Sequence, residues 1–248
     1  FPAPGICFEE NWSFALYGAD FGPHLNDRPL LNGKIYEAQP GYILKFTRKH
    51  NGQRCYLGVR AGFAVPRWLD SCSPDPAMQH PELPEKTELI PRETIRSKGG
   101  ITPPRTPQKI RFVPEFEFET LDVESRKALS AQKFTILPES NRMGYRLRGV
   151  PLKRADPKEL ISSAVTRGTI QLLPDGQVIV LMADAPTTGG YPRLGYVCAT
   201  DLSGLSRLGP GDTFTFEAIT EAEAIQSLLR QEQYFNILRK LLWISTVT

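Results

Sequence analysis

Between Val178 and Met182 the chain reads VIVLM with no polar interruption. In an extended conformation Val178, Val180 and Met182 face one way and Ile179 and Leu181 the other, and a strand apolar on both faces belongs in the middle of a sheet. Upstream, SNRMGYRLRG alternates instead. Tyr145 and Leu147 fall on one side and Arg146 and Arg148 on the other, which predicts a half-buried strand with Asn141-Arg142 at its mouth. From Ser13 to Val65 the short runs SFALYG, YILKF and RCYLGV are divided by Pro29, Asn32-Gly33, Pro40-Gly41 and Asn51-Gly52, the punctuation of an all-β region. Asp20, directly after Gly18-Ala19, is expected to accept a turn hydrogen bond rather than to line a pocket.

A second all-β stretch is predicted from Ile110. It opens with a strand, IRFVP, followed by a helical connector over Leu121 to Ala131 and a strand over Lys133 to Leu137. Val150 to Thr166 reads as turn and short helix, Gly168 to Leu173 as a strand, and Pro174-Asp175-Gly176 as the turn into VIVLM. A short helix over Asp201 to Leu208, capped by Asp201, then leads to the strand TFTFE. In the tail, Ile225, Leu228, Leu229, Phe235, Leu238 and Leu242 recur at helical spacing, and Thr220 with Glu223 fits a capping box. That apolar face is expected to pack on its own domain, with a partner-binding helix as the other reading.

Prolines at 74, 76, 81, 84, 91, 103, 104 and 107 break the pattern and exclude a central strand. The expected organisation is therefore a first β domain over 1–73, a proline-rich linker over 74–109 that is more mobile than either domain, and a second β domain with a C-terminal helix over 110–248.

Composition removes several classes of function. The 248 residues carry a net charge of only +3 and no basic run with interleaved aromatics, so nucleic acid is not an expected partner. No apolar stretch reaches membrane-spanning length, so no membrane is expected and cytoplasm is the default. Cys7, Cys55, Cys72 and Cys198 are scattered, which favours free buried thiols over zinc or disulfides. His24, His50 and His80 are isolated in turn-like contexts and are expected at the surface, so no metal site is expected. G-x-x-x-x-G-K-[ST], H-E-x-x-H and G-x-S-x-G are absent from the sequence.

What remains is a polar loop with arginines. Asp184, Thr187 and Thr188 bring a carboxylate and two hydroxyls to the end of VIVLM, and Gly189-Gly190 either bares backbone amides to an anion, as in a nest, or makes a plain hairpin turn. Arg142 and Arg146 suit a carboxylate, carboxyphosphate or ureido oxygen, because a guanidinium is a planar donor fork. Asp184 suits an N–H of a lactam or urea, and Tyr145 and Tyr191 an apolar wall with a hydroxyl handle. The competing reading makes the same Arg and Tyr residues ordinary surface and core.

Taken together, SNRMGYRLRG, IQLLPDGQ, DAPTTGGYPRLGYV and the PGD turn resemble the biotin-dependent carboxyltransferase family, whose members include the C component of 5-oxoprolinase, allophanate hydrolase subunit 2 and a kinase-inhibitor antagonist. The resemblance is densest from Ile136 to Phe216. It implies a mostly β fold of two cyclophilin-like β-barrel domains with a C-terminal helix, the first domain truncated at its N-terminus. The family's earlier Gln-Asp-x-Gly-Arg-like motif does not occur in these residues, and a family pocket is expected to draw on both halves. The implied function is a subunit of an ATP-dependent amide-cleaving complex, a 5-oxoprolinase that opens 5-oxoproline to glutamate. The alternatives are a carboxyltransferase component of a biotin-dependent urea carboxylase/allophanate hydrolase system, or a non-catalytic regulator that binds a kinase-inhibitor-like partner. The resemblance assigns catalysis to Asp184, Arg142 and Arg146. It assigns substrate binding to Asn141, Tyr145, Gln171, Thr187, Thr188, Gly189, Gly190 and Tyr191. It implies no covalent cofactor: ATP is handled by a separate partner protein, and biotin, where used, sits on a separate carrier domain. The implied partners are the other two components of a 5-oxoprolinase, a B-type protein resembling allophanate hydrolase subunit 1 and an A-type protein.

Overall fold

The structure is a computed structural model that describes residues 4–59, 62–65, 100–101, 107–155 and 160–247, with side chains described to 241. Most of the expected linker, with Cys72 and His80, lies outside the described residues. The chain divides into two compact units, Phe1–Pro104 and Arg105–Thr248.

The first unit holds β1 (Ile6–Cys7), β2 (Trp12–Asp20), β3 (Pro23–Leu25), β4 (Arg28–Pro29), β5 (Ile35–Ala38), β6 (Ile43–Phe46) and β7 (Asn51–Val59). They form one sheet in the order β1-β6-β3-β4 and another in the order β5-β2-β7. Phe8, Phe14, Leu16 and Leu44 are almost fully buried between them. The β2–β7 register shifts between Gly18 and Asp20. Gly18 sits there at φ +96°, where a Cβ would lie 2.4 Å from the Arg54 carbonyl oxygen, so the irregularity requires glycine. Asp20 acts as the turn acceptor anticipated for it, its Oδ1 receiving the Gly22 N–H at 2.9 Å.

The second unit contains β8 (Lys109–Pro114), β9 (Phe134–Ile136), β10 (Gly144–Arg148), β11 (Ser163–Ala164), β12 (Thr169–Leu172), β13 (Val178–Leu181), β14 (Thr188–Gly189), β15 (Arg193–Val197) and β16 (Thr213–Ala218). Seven of these close a barrel in the order β10-β13-β12-β15-β8-β16-β9, while β11 and β14 form a separate two-stranded ribbon. VIVLM lies between β10 and β12, the central position its two apolar faces call for. One row of register partners, Tyr145, Val180 and Ile170, and a second, Leu147, Val178 and Leu172, fill the interior. Phe112, Phe134, Phe214 and Phe216 complete it with edge-to-face contacts, three of them at 5.1–5.6 Å. Burying each such side chain contributes about 1.5–3 kcal/mol. The intervening positions, Arg146, Ile179, Gln171 and Arg193, form a row across β10, β13, β12 and β15 on the outer side of the wall.

Three expectations for this unit need correction. The described part of 150–166 holds no helix; it is extended, with the Leu152 N–H on the Gly176 carbonyl and the strand β11. Helix α1 (Val123–Ala131), capped by Asp122, is followed in the chain by α2 (Ala199–Leu205), which Asp201 does not cap. Cys198 holds the cap position without a side-chain bond, and Asp201 sits inside the first turn because Arg111 claims its carboxylate. The capping box of α3 (Glu221–Val247) is present, with Thr220 N–H on Glu223 Oε2 at 2.8 Å and Glu223 N–H on Thr220 Oγ1 at 3.2 Å. Most of its expected apolar face, however, does not meet the domain: Ile225, Leu228, Leu229 and Phe235 are 41–51% exposed, Leu238 is half-buried, and the Leu242 side chain lies outside the described residues. The more sheltered side is Ala224, Ser227, Gln231 and Leu238. Arg111 donates to Ser227 Oγ at 2.8 Å, a bond from β8 to this sheltered side of the helix. Among the described residues the thiols are free, and of these only Cys198 is buried; Cys55 is half-buried and Cys7 exposed.

Candidate functional site

The turn before β10 and the end of β13 are stitched together by backbone. Met182 N–H donates to the Met143 carbonyl at 3.0 Å and Asp184 N–H to the Arg142 carbonyl at 2.9 Å. Asn141 shapes the turn from within, its Oδ1 accepting the Met143 N–H at 2.8 Å. This places Arg142 against Asp184, Nε to Oδ2 at 2.6 Å and Nη2 to Oδ1 at 2.8 Å, a two-point fork across 42 positions of sequence. The hydrogen bonds from Arg142 hold the Asp184 carboxyl below its ordinary range, so it is a fixed anion at neutral pH. The pair is open to solvent, with 66% and 49% of the two side chains exposed.

Three residues beyond Asp184 the chain bends at Thr187 and enters the short strand β14. Val165 N–H donates to the Thr187 carbonyl at 3.0 Å, and Thr188 and Gly189 pair with Ala164 and Ser163. Neither glycine has a positive φ, so the stretch forms neither the nest nor the Gly-Gly turn considered from the sequence. Gly189 packs close to Gln171: a Cβ at 189 would lie 2.9 Å from Gln171 Nε2, so the Gln171 side chain would have to shift to admit one. Gln171 stands under the ribbon, 4% exposed, and its Nε2 has no hydrogen-bond partner among the described residues.

The other expected residues divide. Arg146 leaves the outer face of β10, and Tyr191 is exposed beyond the ribbon. Tyr145 is turned into the barrel, where its hydroxyl donates to the Leu208 carbonyl at 3.2 Å. Two residues not anticipated join the same outer wall. Arg193, the register partner of Gln171, donates from Nη2 to Glu117 Oε1 at 3.0 Å, and Glu117 Oε2 is buried without a partner among the described residues. That hydrogen bond raises the Arg193 pKa above its ordinary value. A pairing between positions 76 apart leaves no mark in a local pattern; only the β12–β15 register exposes it.

The wall thus offers a fixed carboxylate, guanidinium donors, an unpaired amide donor and an unpaired carboxylate oxygen, which is equipment for orienting a small polar molecule rather than for nucleophilic attack by the protein. Among the described residues no group of three His, Cys, Asp or Glu side chains could hold a metal ion. No described helix is long and apolar enough to cross a membrane. In the first unit a separate cavity of about 590 Å³ is lined by Trp12, Asn26, Asp27, Arg28, Glu37 and Tyr42 among others, and it contains none of the expected site residues.

Residues 1–218 match the family model described as carboxyltransferase domain, subdomain A and B. The C component of the Haemophilus influenzae 5-oxoprolinase is 33% identical over 249 residues, covering 97% of this chain and 81% of the relative. Its counterpart, the C component of the Escherichia coli 5-oxoprolinase, is 32% identical over 238 residues, covering 92% and 76%. Among solved structures, the Kluyveromyces lactis urea carboxylase superposes with a TM-score of 0.79 at 23% identity, covering 93% of this chain and 23% of that one. At that identity the likeness speaks for the fold alone.

Proposed function

Since the chain belongs to the carboxyltransferase domain family, subdomains A and B, we propose that it is the C-type component of a cytoplasmic, ATP-dependent 5-oxoprolinase that opens 5-oxoproline to glutamate. The names of two relatives above 30% identity along nearly the whole chain support the reading. The observation that carries it within the molecule is the two-point Arg142–Asp184 fork, three residues before the Thr187-Thr188 pair in the chain.

The reaction adds one water across the lactam C–N bond, so that the carbonyl carbon becomes a carboxylate and the ring nitrogen leaves as the amine. ATP, handled by a partner protein, is hydrolysed to ADP and phosphate with a second water, and this drives the opening of the otherwise stable amide. This chain's own residues bind and orient. Arg146 receives the substrate carboxylate as a charge-assisted donor, Asp184 keeps Arg142 in one rotamer at the rim, and Thr187, Thr188 and Tyr191 border the approach. A B-type protein resembling allophanate hydrolase subunit 1 and an A-type protein complete the complex. A carboxyltransferase role in a biotin-dependent urea system, with biotin on a separate carrier domain, is the second reading, and the shared fold with the urea carboxylase favours it to that extent.

Co-expression with these partners and measurement of ATP-dependent glutamate release from 5-oxoproline tests the proposal. Arg142→Lys keeps the charge but loses the fork, and turnover in the assembled complex is expected to fall by roughly one to two decades, the value of a charge-assisted hydrogen bond. Wild-type turnover in both Arg142→Lys and Asp184→Asn would overturn the role of the fork.

A further inference from the structure

Helix α3 carries an apolar stripe that its own unit leaves bare. Ile225, Leu228, Leu229 and Phe235 recur at helical spacing with Glu232 and Asn236 between them, so they share one side of the helix, and all four apolar side chains are 41–51% exposed. The barrel takes up the neighbouring side, through Ser227 on Arg111 and the half-buried Ala224, Gln231 and Leu238. The residues matched by the family model end at 218, before the helix begins. Single exposed apolar residues are ordinary on a surface, but a contiguous stripe of them rimmed by charge marks a contact site.

The charges along the helix say what covers the stripe. Glu221 and Glu223 lie in the first turn, and Arg239 and Lys240 follow Phe235. Glu221 stands one turn before Ile225 and Arg239 one turn after Phe235, so the two opposite charges bracket the stripe on its own side of the helix. Glu221, Arg239 and Lys240 have no ion-pair partner among the described residues. A helix acidic at one end and basic at the other repels a parallel copy of itself and complements a reversed one, and the helix dipoles favour the same antiparallel choice. The register that sets Glu221 against Arg239 of a second copy also sets Ile225 against Phe235, and a two-fold axis repeats both contacts. We propose that α3 pairs antiparallel with α3 of a second copy of this chain, burying Ile225, Leu228, Leu229 and Phe235 and closing Glu221 on Arg239 and Lys240 at both ends. Glu232 and Asn236 interrupt the seam, and polar residues in such positions fix register at a cost in stability. A few turns of helix also bury less than the about 800 Å² per partner of a standard interface, so the dimer is a reversible one with a Kd of roughly 10–100 μM.

The test is sedimentation velocity of the full chain over about 1–200 μM, with circular dichroism checking the fold of each variant. Wild type is expected to pass from monomer to dimer across this range, and a Leu228→Ser, Phe235→Ser double variant to stay monomeric throughout. Glu221→Lys in one chain, and Arg239→Glu with Lys240→Glu in another, should each weaken self-association about tenfold, because like charges then meet at both ends. An equimolar mixture of those two chains should dimerise near the wild-type midpoint, since every altered end then faces its opposite. A folding defect cannot imitate that recovery. Wild type that remains monomeric at the top of the range would overturn the inference, as would a dimer indifferent to the Leu228 and Phe235 changes or a charge-swapped mixture that fails to associate. If the chain stays monomeric and instead binds a co-expressed B-type protein through Leu228 and Phe235, the stripe belongs to that partner and the inference falls, while the 5-oxoprolinase reading stands.

Discussion

Arg111 joins three elements through one side chain. Its guanidinium donates to both oxygens of Asp201, to Thr200 and to Ser227, and its own N–H also reaches Asp201 Oδ2, so a single side chain ties β8 to α2 and α3. Burial pushes the Asp201 carboxyl up, but the hydrogen bonds from Arg111 and the opposite charge outweigh it and hold it below the ordinary range, while Arg111 is raised in turn. A depressed carboxyl pKa contributes stability that is fully present above the unfolded value near about 3.9 and is lost as pH falls through the folded value. Asp201→Asn is therefore expected to cost about 1–3 kcal/mol at neutral pH, the penalty of leaving a partly buried charge unpaired. Urea unfolding measured from pH 7 downward should show the gap between wild type and variant closing below about pH 4. The Arg142–Asp184 pair contrasts with it: exposed on both sides, it should change folding stability by under about 0.5 kcal/mol when Arg142 becomes Lys, which calorimetry checks. The sequence marked Arg142 and Asp184 as members of one site but not as a pair, because a contact across 42 positions is set by the β10–β13 register.

Among the elements, the strands were the legible part. Tyr145 and Leu147 point inward and Arg146 and Arg148 outward as their alternation requires, and VIVLM is central as its two apolar faces require. Alternation reports burial directly, since one face of a barrel wall must fill the core. Helix α3 shows where this stops. Its periodicity revealed an apolar stripe, but which side of a helix meets its domain is decided by contacts beyond the helix, and here Ser227 meets Arg111 while Ile225, Leu228 and Leu229 face outward. The shape of the Gly189-Gly190 stretch is not local either: Gly-Gly reads as a turn, whereas Gly189 pairs with Ser163 of β11 and packs close to Gln171. Glu117 and Arg193 were not legible at all. The capping box, by contrast, is wholly local, and so is its prediction. Thr220→Ala should speed amide exchange in the first turn of α3 roughly fivefold, the factor matching a typical cap of about 1 kcal/mol, without altering exchange in the barrel strands.

At the scale of the molecule, the two units have separate hydrophobic cores that share no residue. Leu147→Ala removes a fully buried side chain from the barrel and should destabilise that unit by about 2–5 kcal/mol. Hydrogen exchange should then rise in β10, β13 and β12 while β2 and β7 keep their protection; an equal rise in both units would show that they unfold together. The barrel also closes in an unusual manner for this chain. Every pairing in it is antiparallel except that of β16 with β8, which joins Phe216 to Ile110. Synthesis runs from β8 toward β16, so the growing chain carries a bare strand edge on Ile110 and Phe112 until the last strand has been made. Closure is the most distant contact in the wall and must come late, which places this unit among the slow, β-rich folders with a window for wrong pairing. A nascent chain stalled before Thr213 should accordingly recruit holding chaperones, and release should coincide with the arrival of Thr213 to Ala218.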